Sequence, residues 1–318
     1  MKNSTLRLLI LVLSIVLIVV VTYAIDIWIN QNGNTPTDPS TQMSSGILSS
    51  PPSSTQTTTV PSQVSSGSPV QTPDTSGDYI GNLYTREQLE KISSKRNEYS
   101  TGLDFDSKNR PINTILLNEQ YGKYDAYFIG PDDGKVYLTY NFTYEYEGLV
   151  QKTLNILKKK NVRCVVFIDK SFAQHYPHMI QQILDDGHIL ANHCTTHPDL
   201  PTLSIDNIVD EIMDIHNYVK ETYGYEMKYF RPPSGYYSEQ VWAIAQSLGY
   251  RSYNWSFAYR DWDTNNQPDP AIALQTITDA LHSGAIYQLH AISSTNVAIL
   301  EDFIDATRSA GFEFALLP

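Results

Sequence analysis

After residue 135 two hydrophobic periods alternate along the chain, and this pattern limits the fold more tightly than any other stretch. Short apolar runs at 136–140, 164–168, 188–191, 252–256, 285–289 and 312–316 have the length of buried strands. Between them lie stretches with helical spacing. The first, 149–160, puts Val150, Leu154 and Leu157 on one face, and 204–223 does the same with Ile205, Ile208, Val209, Ile212, Ile215 and Val219. Ser238 caps a further helix that ends near Gly249, and 271–282 and 297–310 complete the series. Parallel strands need long crossover connections, so repeated strand–helix units predict an α/β fold with a parallel sheet, open or closed into a barrel. In such sheets chemistry gathers beyond the carboxyl ends of the strands.

The rest of the chain leaves room for only one such domain. Residues 31–78 contain no Lys, Arg or Glu, and 28 of these 48 residues are Ser, Thr or Pro. A tract like this buries too little apolar surface to offset its ordering entropy and reads as a disordered linker. Ahead of it, Lys2 and Arg7 precede an uncharged run over 8–25, whose 18 residues would span roughly 27 Å as a helix, close to a bilayer core. Residues 1–30 therefore read as a transmembrane signal-anchor with a cytoplasmic N-terminus. The rival reading is a signal peptide cleaved near Thr22-Tyr23-Ala24. Either segment exports the domain behind it. Residues 79–134 form an extension of the main domain at 135–318. In the extension Thr85 and Gln88 resemble a capping box opening a helix over 86–92, and Gly130-Pro131-Asp132-Asp133-Gly134 marks a turn.

Charge and cysteine content exclude two broad classes. The net charge is −12, of which Lys2, Arg7, Asp26, Asp38, Asp74 and Asp78 account for −2, so residues 79–318 carry −10. That is not the electrostatic footprint of a nucleic-acid binder. Two cysteines, Cys164 and Cys194, do not make a disulfide scaffold, and their places at opposite ends of successive strands argue against a bridge between them.

Four short motifs fall at predicted strand ends. His193 and His197, spaced His-x-x-x-His, can share a divalent metal such as zinc if a turn brings them together; alternatively they are unrelated loop histidines. Spacing alone names no third ligand. Cys194 is either a thiolate ligand or a small buried residue. Arg231-Pro232-Pro233-Ser234-Gly235 is a stiff loop presenting one arginine, suited to orienting a carboxylate or capturing an anion, or simply a surface loop. Asp261-Trp262 and Leu289-His290 supply a carboxylate and an imidazole that together can act as a general acid. Tyr236, Tyr237 and Tyr259 flank these motifs and can stack on sugar faces or pack as rim residues.

In this order the motifs resemble motifs two to five of the polysaccharide deacetylases, the NodB-homology proteins of carbohydrate esterase family 4. Tyr124-Asp125-Ala126-Tyr127-Phe128-Ile129-Gly130, His197-Pro198-Asp199-Leu200 and Leu289-His290-Ala291-Ile292-Ser293 resemble the delta-lactam-biosynthetic de-N-acetylase branch. That branch removes the N-acetyl group of muramic acid in spore-cortex peptidoglycan. The resemblance implies a distorted (β/α)7-8 barrel, a peptidoglycan or other N-acetylated glycan as partner, and a divalent metal on His193 and His197. It also implies His290 as the catalytic acid, Asp261 as its tuning carboxylate, Arg231 as the residue orienting the base, and substrate contacts from Pro233, Gly235, Tyr236, Trp262 and Leu289.

The first family motif, Thr-Phe-Asp-Asp-Gly, is broken here. Thr139-Tyr140-Asn141-Phe142-Thr143 places Asn141 at the position of the general base and Phe142 at that of the third metal ligand. An amide can position water but cannot take its proton, and loss of a general base removes ~10²–10⁴ in rate. Phenylalanine offers no donor, so a metal would be held weakly or not at all. Glu145 and Glu147 are nearby carboxylates that could substitute. Without a base carboxylate beside it, Arg231 is expected to turn to Asp261 or to bind an anion on the glycan. The sequence thus points to a cell-wall deacetylase with impaired chemistry, or to a glycan-binding pseudoenzyme or scaffold.

Overall fold

The computed structural model describes residues 79–318. The signal-anchor expected over 1–30 and the linker expected over 31–78 lie outside the described residues. Among the described residues no helix is long and apolar enough to cross a membrane.

The extension opens with a small antiparallel pair, β1 (Tyr79–Ile80) and β2 (Tyr84–Thr85), followed by α1 (Arg86–Glu90). Thr85 and Gln88 complete the expected reciprocal capping box, although the helix stops two residues earlier than the spacing predicts. Next come β3 (Asn97–Glu98), α2 (Ile112–Tyr121) and β4 (Ala126–Tyr127).

The alternating region then gives β5 (Lys135–Phe142), α3 (Leu149–Lys159), β6 (Val165–Ile168), α4 (Lys170–His175), α5 (Pro177–Asp185) and β7 (Ile189–Asn192). It continues through α6 (Ile205–Tyr223), β8 (Tyr229–Phe230), β9 (Tyr236–Tyr237), α7 (Glu239–Ser247) and β10 (Arg251–Tyr253). The last elements are α8 (Pro270–Asp279), β11 (Ala285–His290), α9 (Ser294–Ser309) and β12 (Glu313–Ala315).

Eight strands form one all-parallel sheet in the order β11-β5-β6-β7-β8-β10-β4, with β12 also joined to β5. The extension is therefore part of the main fold, since β4 pairs with β10. The sheet curls without closing into the complete barrel ladder that the resemblance implied. The two sides meet through the chain beyond β10, where Phe257 bridges Tyr287 on β11, and through the Gly130 N–H after β4, which donates to the Gly284 carbonyl before β11 at 2.8 Å.

The register of β5 decides which side chains reach the interior. Side chains alternate along a strand. Thr139 and Asn141 point inward, where both accept hydrogen bonds from the Arg231 guanidinium. Tyr140 and Phe142 consequently face the helix layer, and the Phe142 ring packs 5.6 Å from Phe172 on α4 and 5.7 Å from Tyr140. Burying a side chain of this size contributes about 2–3 kcal/mol. A smaller apolar cluster, including Tyr137, Val165, Phe167, Ala191, Tyr253 and Ile286, fills the inside of the curl below the strand ends.

Candidate active site

The carboxyl ends of β5, β7 and β11, together with the loops after β8 and β10, surround a cavity of about 570 Å³. Its lining includes Asn141, His193, His197, Ser234, Trp262 and His290, so each of the five motifs contributes a residue.

His193 directly follows β7. Its Nδ1–H donates to the Arg231 carbonyl at 2.8 Å, which leaves Nε2 as a bare acceptor 3.4 Å from Asn141 Nδ2. The loop then reverses sharply, with Cys194 and His197 both in the left-handed region at φ 71° and 60°. Side-chain bonds compensate for that strain. Asn192 Oδ1 accepts the Cys194 N–H at 2.9 Å, and its amide donates to the Ile212 carbonyl and to Tyr250 Oη. Glu211 accepts the N–H groups of Thr195 and Thr196 at 3.0 and 2.9 Å. The reversal brings the two imidazoles together, ring centroids 5.0 Å apart and nearly perpendicular. Burial holds His193 well below the usual histidine range and lowers His197 as well, so both are neutral at pH 7.

Two adjacent neutral imidazoles are a suitable start for a metal centre, but the donor set stops there. Phe142 has no ligand atom and faces the helix layer. The Cys194 thiol is fully buried, and desolvation pushes its ionisation well above normal, so a thiolate does not form there. Among the described residues no group of three or more His, Cys, Asp and Glu could hold a metal ion. The residues present do not fit the three-ligand centre that the resemblance implied.

Arg231 corrects both expectations placed on it. The side chain is fully buried and does not line the cavity. It donates to the carbonyls of Tyr253 and Asn254 and to Thr139 Oγ1, each at 2.9 Å, and to Asn141 Oδ1 at 3.0 Å. Phe167 covers the guanidinium at 4.0 Å. It neither turns to Asp261 nor presents itself to an anion. Burial pushes its pKa down to about 9, yet the four acceptors keep it charged at neutral pH.

The opposite wall is complete. Asp261, fully buried, accepts His290 Nδ1–H at 2.7 Å, the His290 backbone N–H at 2.8 Å and Asn296 Nδ2 at 2.6 Å. Tyr259 Oη donates in turn to Asn296 Oδ1. With Nδ1 committed to Asp261, His290 offers its Nε2 to the cavity, where Trp262 stands 6.1 Å away. This arrangement suits a proton donor.

The remaining expectations divide. Leu289 is buried and alternates away from Gln288 and His290, into the helix layer with Tyr140. Pro233 is buried, Tyr236 lies under the Arg96 guanidinium at 3.7 Å, and Tyr237 stacks on Trp242 in the core; none of them lines the cavity. Gly235, at φ 71°, is needed because a Cβ there would come within 2.9 Å of Trp255. Glu145 accepts the N–H groups of Val150 and Gln151 at 3.4 and 3.3 Å, which makes it a cap on α3; neither it nor Glu147 reaches the cavity. No sequence signal pointed to Glu98, Trp255, Gln288 or Asn296, because each belongs to the site only through tertiary contact.

A family model described as polysaccharide deacetylase matches residues 129–253. Peptidoglycan-N-acetylmuramic acid deacetylase PdaA of Bacillus subtilis is 38% identical over 200 residues, covering 62% of this chain and 76% of that protein. The chain belongs to the polysaccharide deacetylase family. A solved structure of Bacillus subtilis PdaA, described as a family 4 carbohydrate esterase, matches with a TM-score of 0.67 and 33% identity over 71% of this chain and 96% of that one. A mutant of a Bacillus anthracis CE4 family pseudoenzyme, described as having restored enzymatic activity, matches with a TM-score of 0.56 and 26% identity over 60% and 69% of the two chains. Among polysaccharide deacetylases the present chain thus combines the family's curled sheet and an intact His290–Asp261 pair with an amide at position 141.

Proposed function

We propose that this polysaccharide deacetylase is an exported, membrane-anchored protein that binds the amino sugars of cell-wall peptidoglycan and has lost most or all N-deacetylase turnover. The observation that carries this reading is Asn141. It occupies the base position of the family motif, has no basicity, and is held between Arg231 and His193. The lack of a third donor beside His193 and His197 among the described residues supports it, since a water there would gain little acidity. The likeness to a described CE4 family pseudoenzyme is consistent with a family that keeps its fold after chemistry is lost. The peptidoglycan partner rests on the similarity to PdaA.

The intact His290–Asp261 pair favours a second reading, a slow deacetylase in which Asn141 merely positions water. One experiment separates the two. The full-length chain is incubated with N-acetylated muropeptides, with and without Zn²⁺, using Bacillus subtilis PdaA as a positive control. Amine release and retention on insoluble peptidoglycan are both measured. The expected result is retention with a rate at least ~10²-fold below the control. Turnover comparable to the control overturns the binding-only reading, and absence of retention overturns glycan binding itself.

A further inference from the structure

The cavity carries one charged group that a neutral acetamide does not call for. Glu98 on β3 is its one lining carboxylate, and it makes no ion pair or side-chain hydrogen bond among the described residues. Gln288, only 8% exposed on the inner face of β11, has an Oε1 without a hydrogen-bond partner. The one arginine of the motifs is sealed beneath, bonded to four acceptors. Tyr144, Trp255, Tyr259 and Trp262 supply aromatic walls. The cavity thus offers negative charge and π faces, in a domain of net charge −10.

An N-acetyl group is neutral and gains nothing electrostatically from a carboxylate. A free amine on the same sugar titrates close to neutrality, and a carboxylate beside it favours its ammonium form. The ammonium form carries three N–H donors and a positive charge, which match a carboxylate and aromatic faces. We propose that the cavity selects glycans whose amino sugars are already de-N-acetylated, with Glu98 as the specificity-determining residue. The protein would then recognise the product of a deacetylation carried out by another enzyme. The proposal rests on the glycan-binding reading above and narrows its ligand. Glu98 lies on the extension, where β3 pairs with β9 (Asn97 with Tyr237, Glu98 with Tyr236), so this wall is added to the core fold rather than built from its strand ends.

The test uses the full-length chain in detergent. Trp255 and Trp262 line the cavity, so tryptophan fluorescence reports ligand entry, with calorimetry as a second measure. A β-1,4-linked N-acetylglucosamine tetramer is compared with its fully de-N-acetylated counterpart. The expected result is about fivefold tighter binding of the amine form, reduced to parity by Glu98→Gln. Glu313→Gln, exposed at the start of β12 beside the opposite end of β5, changes the net charge equally and is expected to leave the preference intact. Equal or tighter binding of the acetylated tetramer overturns the proposal while leaving glycan binding standing. A preference that survives Glu98→Gln, or that Glu313→Gln also removes, overturns it as well. Failure of both tetramers to bind overturns the glycan-binding reading and this inference with it.

Discussion

The cavity has two walls with different histories written in their hydrogen bonds. On the β11 side, Asp261, His290, Asn296 and Tyr259 form a chain of bonds around a carboxylate that is fully buried. On the β5 side, the carboxylates of the family motif are gone, and Asn141 and Phe142 stand in their place. The two walls show which catalytic positions a fold can give up. Removing Asp261 would orphan three donors in the interior. By contrast, Asn141 keeps an oxygen for Arg231, and Phe142 adds apolar contact to the helix layer. The surviving chemistry is the part that also holds the structure together.

The largest test of this contrast is at Phe142. Phe142→Asp is expected to lower stability by about 4 kcal/mol in urea denaturation, because it removes a buried ring and puts a carboxylate among Tyr140 and Phe172. A neutral result would mean that this wall is free to rebuild its ligand. Asp261→Ala comes next, with an expected loss of about 3 kcal/mol by the same measurement, since its three donors lose their acceptor. If Asp261→Ala left stability unchanged, the intact wall would be kept for chemistry alone.

Asn141→Asp has the smallest and opposite effect. A carboxylate 3.0 Å from the buried Arg231 guanidinium is expected to raise stability by about 1–2 kcal/mol at neutral pH. The arginine would depress the new carboxyl's folded pKa. Its contribution would therefore be complete above the unfolded value near ~3.9 and would fade as pH falls through the folded one. A thermal melt series from pH 7 to pH 3 checks both size and sign. Destabilisation at pH 7 would show that the pocket around Arg231 has been reshaped to prefer an amide.

Much of the fold was legible because its strands are short, apolar and spaced by amphipathic helices. The strands β5, β6, β7 and β11 and the helices α3 and α6 fall within a residue or two of where periodicity puts them. The elements α2, α4, α5 and β4 left no comparable signal. α4 spans six residues and β4 two, too few for a period to show, and α5 starts at Pro177 immediately after α4. For the site, motif order pointed to His193 and His290 at strand ends and to His197 and Asp261 in the loops that follow strands. Direction was the hidden variable. Leu289 is one residue from His290 yet faces the other way, and Arg231 points inward because four acceptors await it there. Motifs report neighbours along the chain, whereas the cavity takes Glu98 and the Asp261 carboxylate takes Asn296 from elements far apart.

The pairing of Phe142 with Ile168 extends the ladder of β5 to the last residue of that motif's ligand pair. A side chain at 142 can aim at the imidazoles only if the backbone leaves the ladder one step earlier, giving up a strand pair along with the ring's packing. Restoring a ligand at 142 would thus give up a strand pair and the ring's packing together, and this resists reversal like a ratchet. Descendants of this chain that regain a metal are expected to recruit a donor from another loop before they reopen position 142.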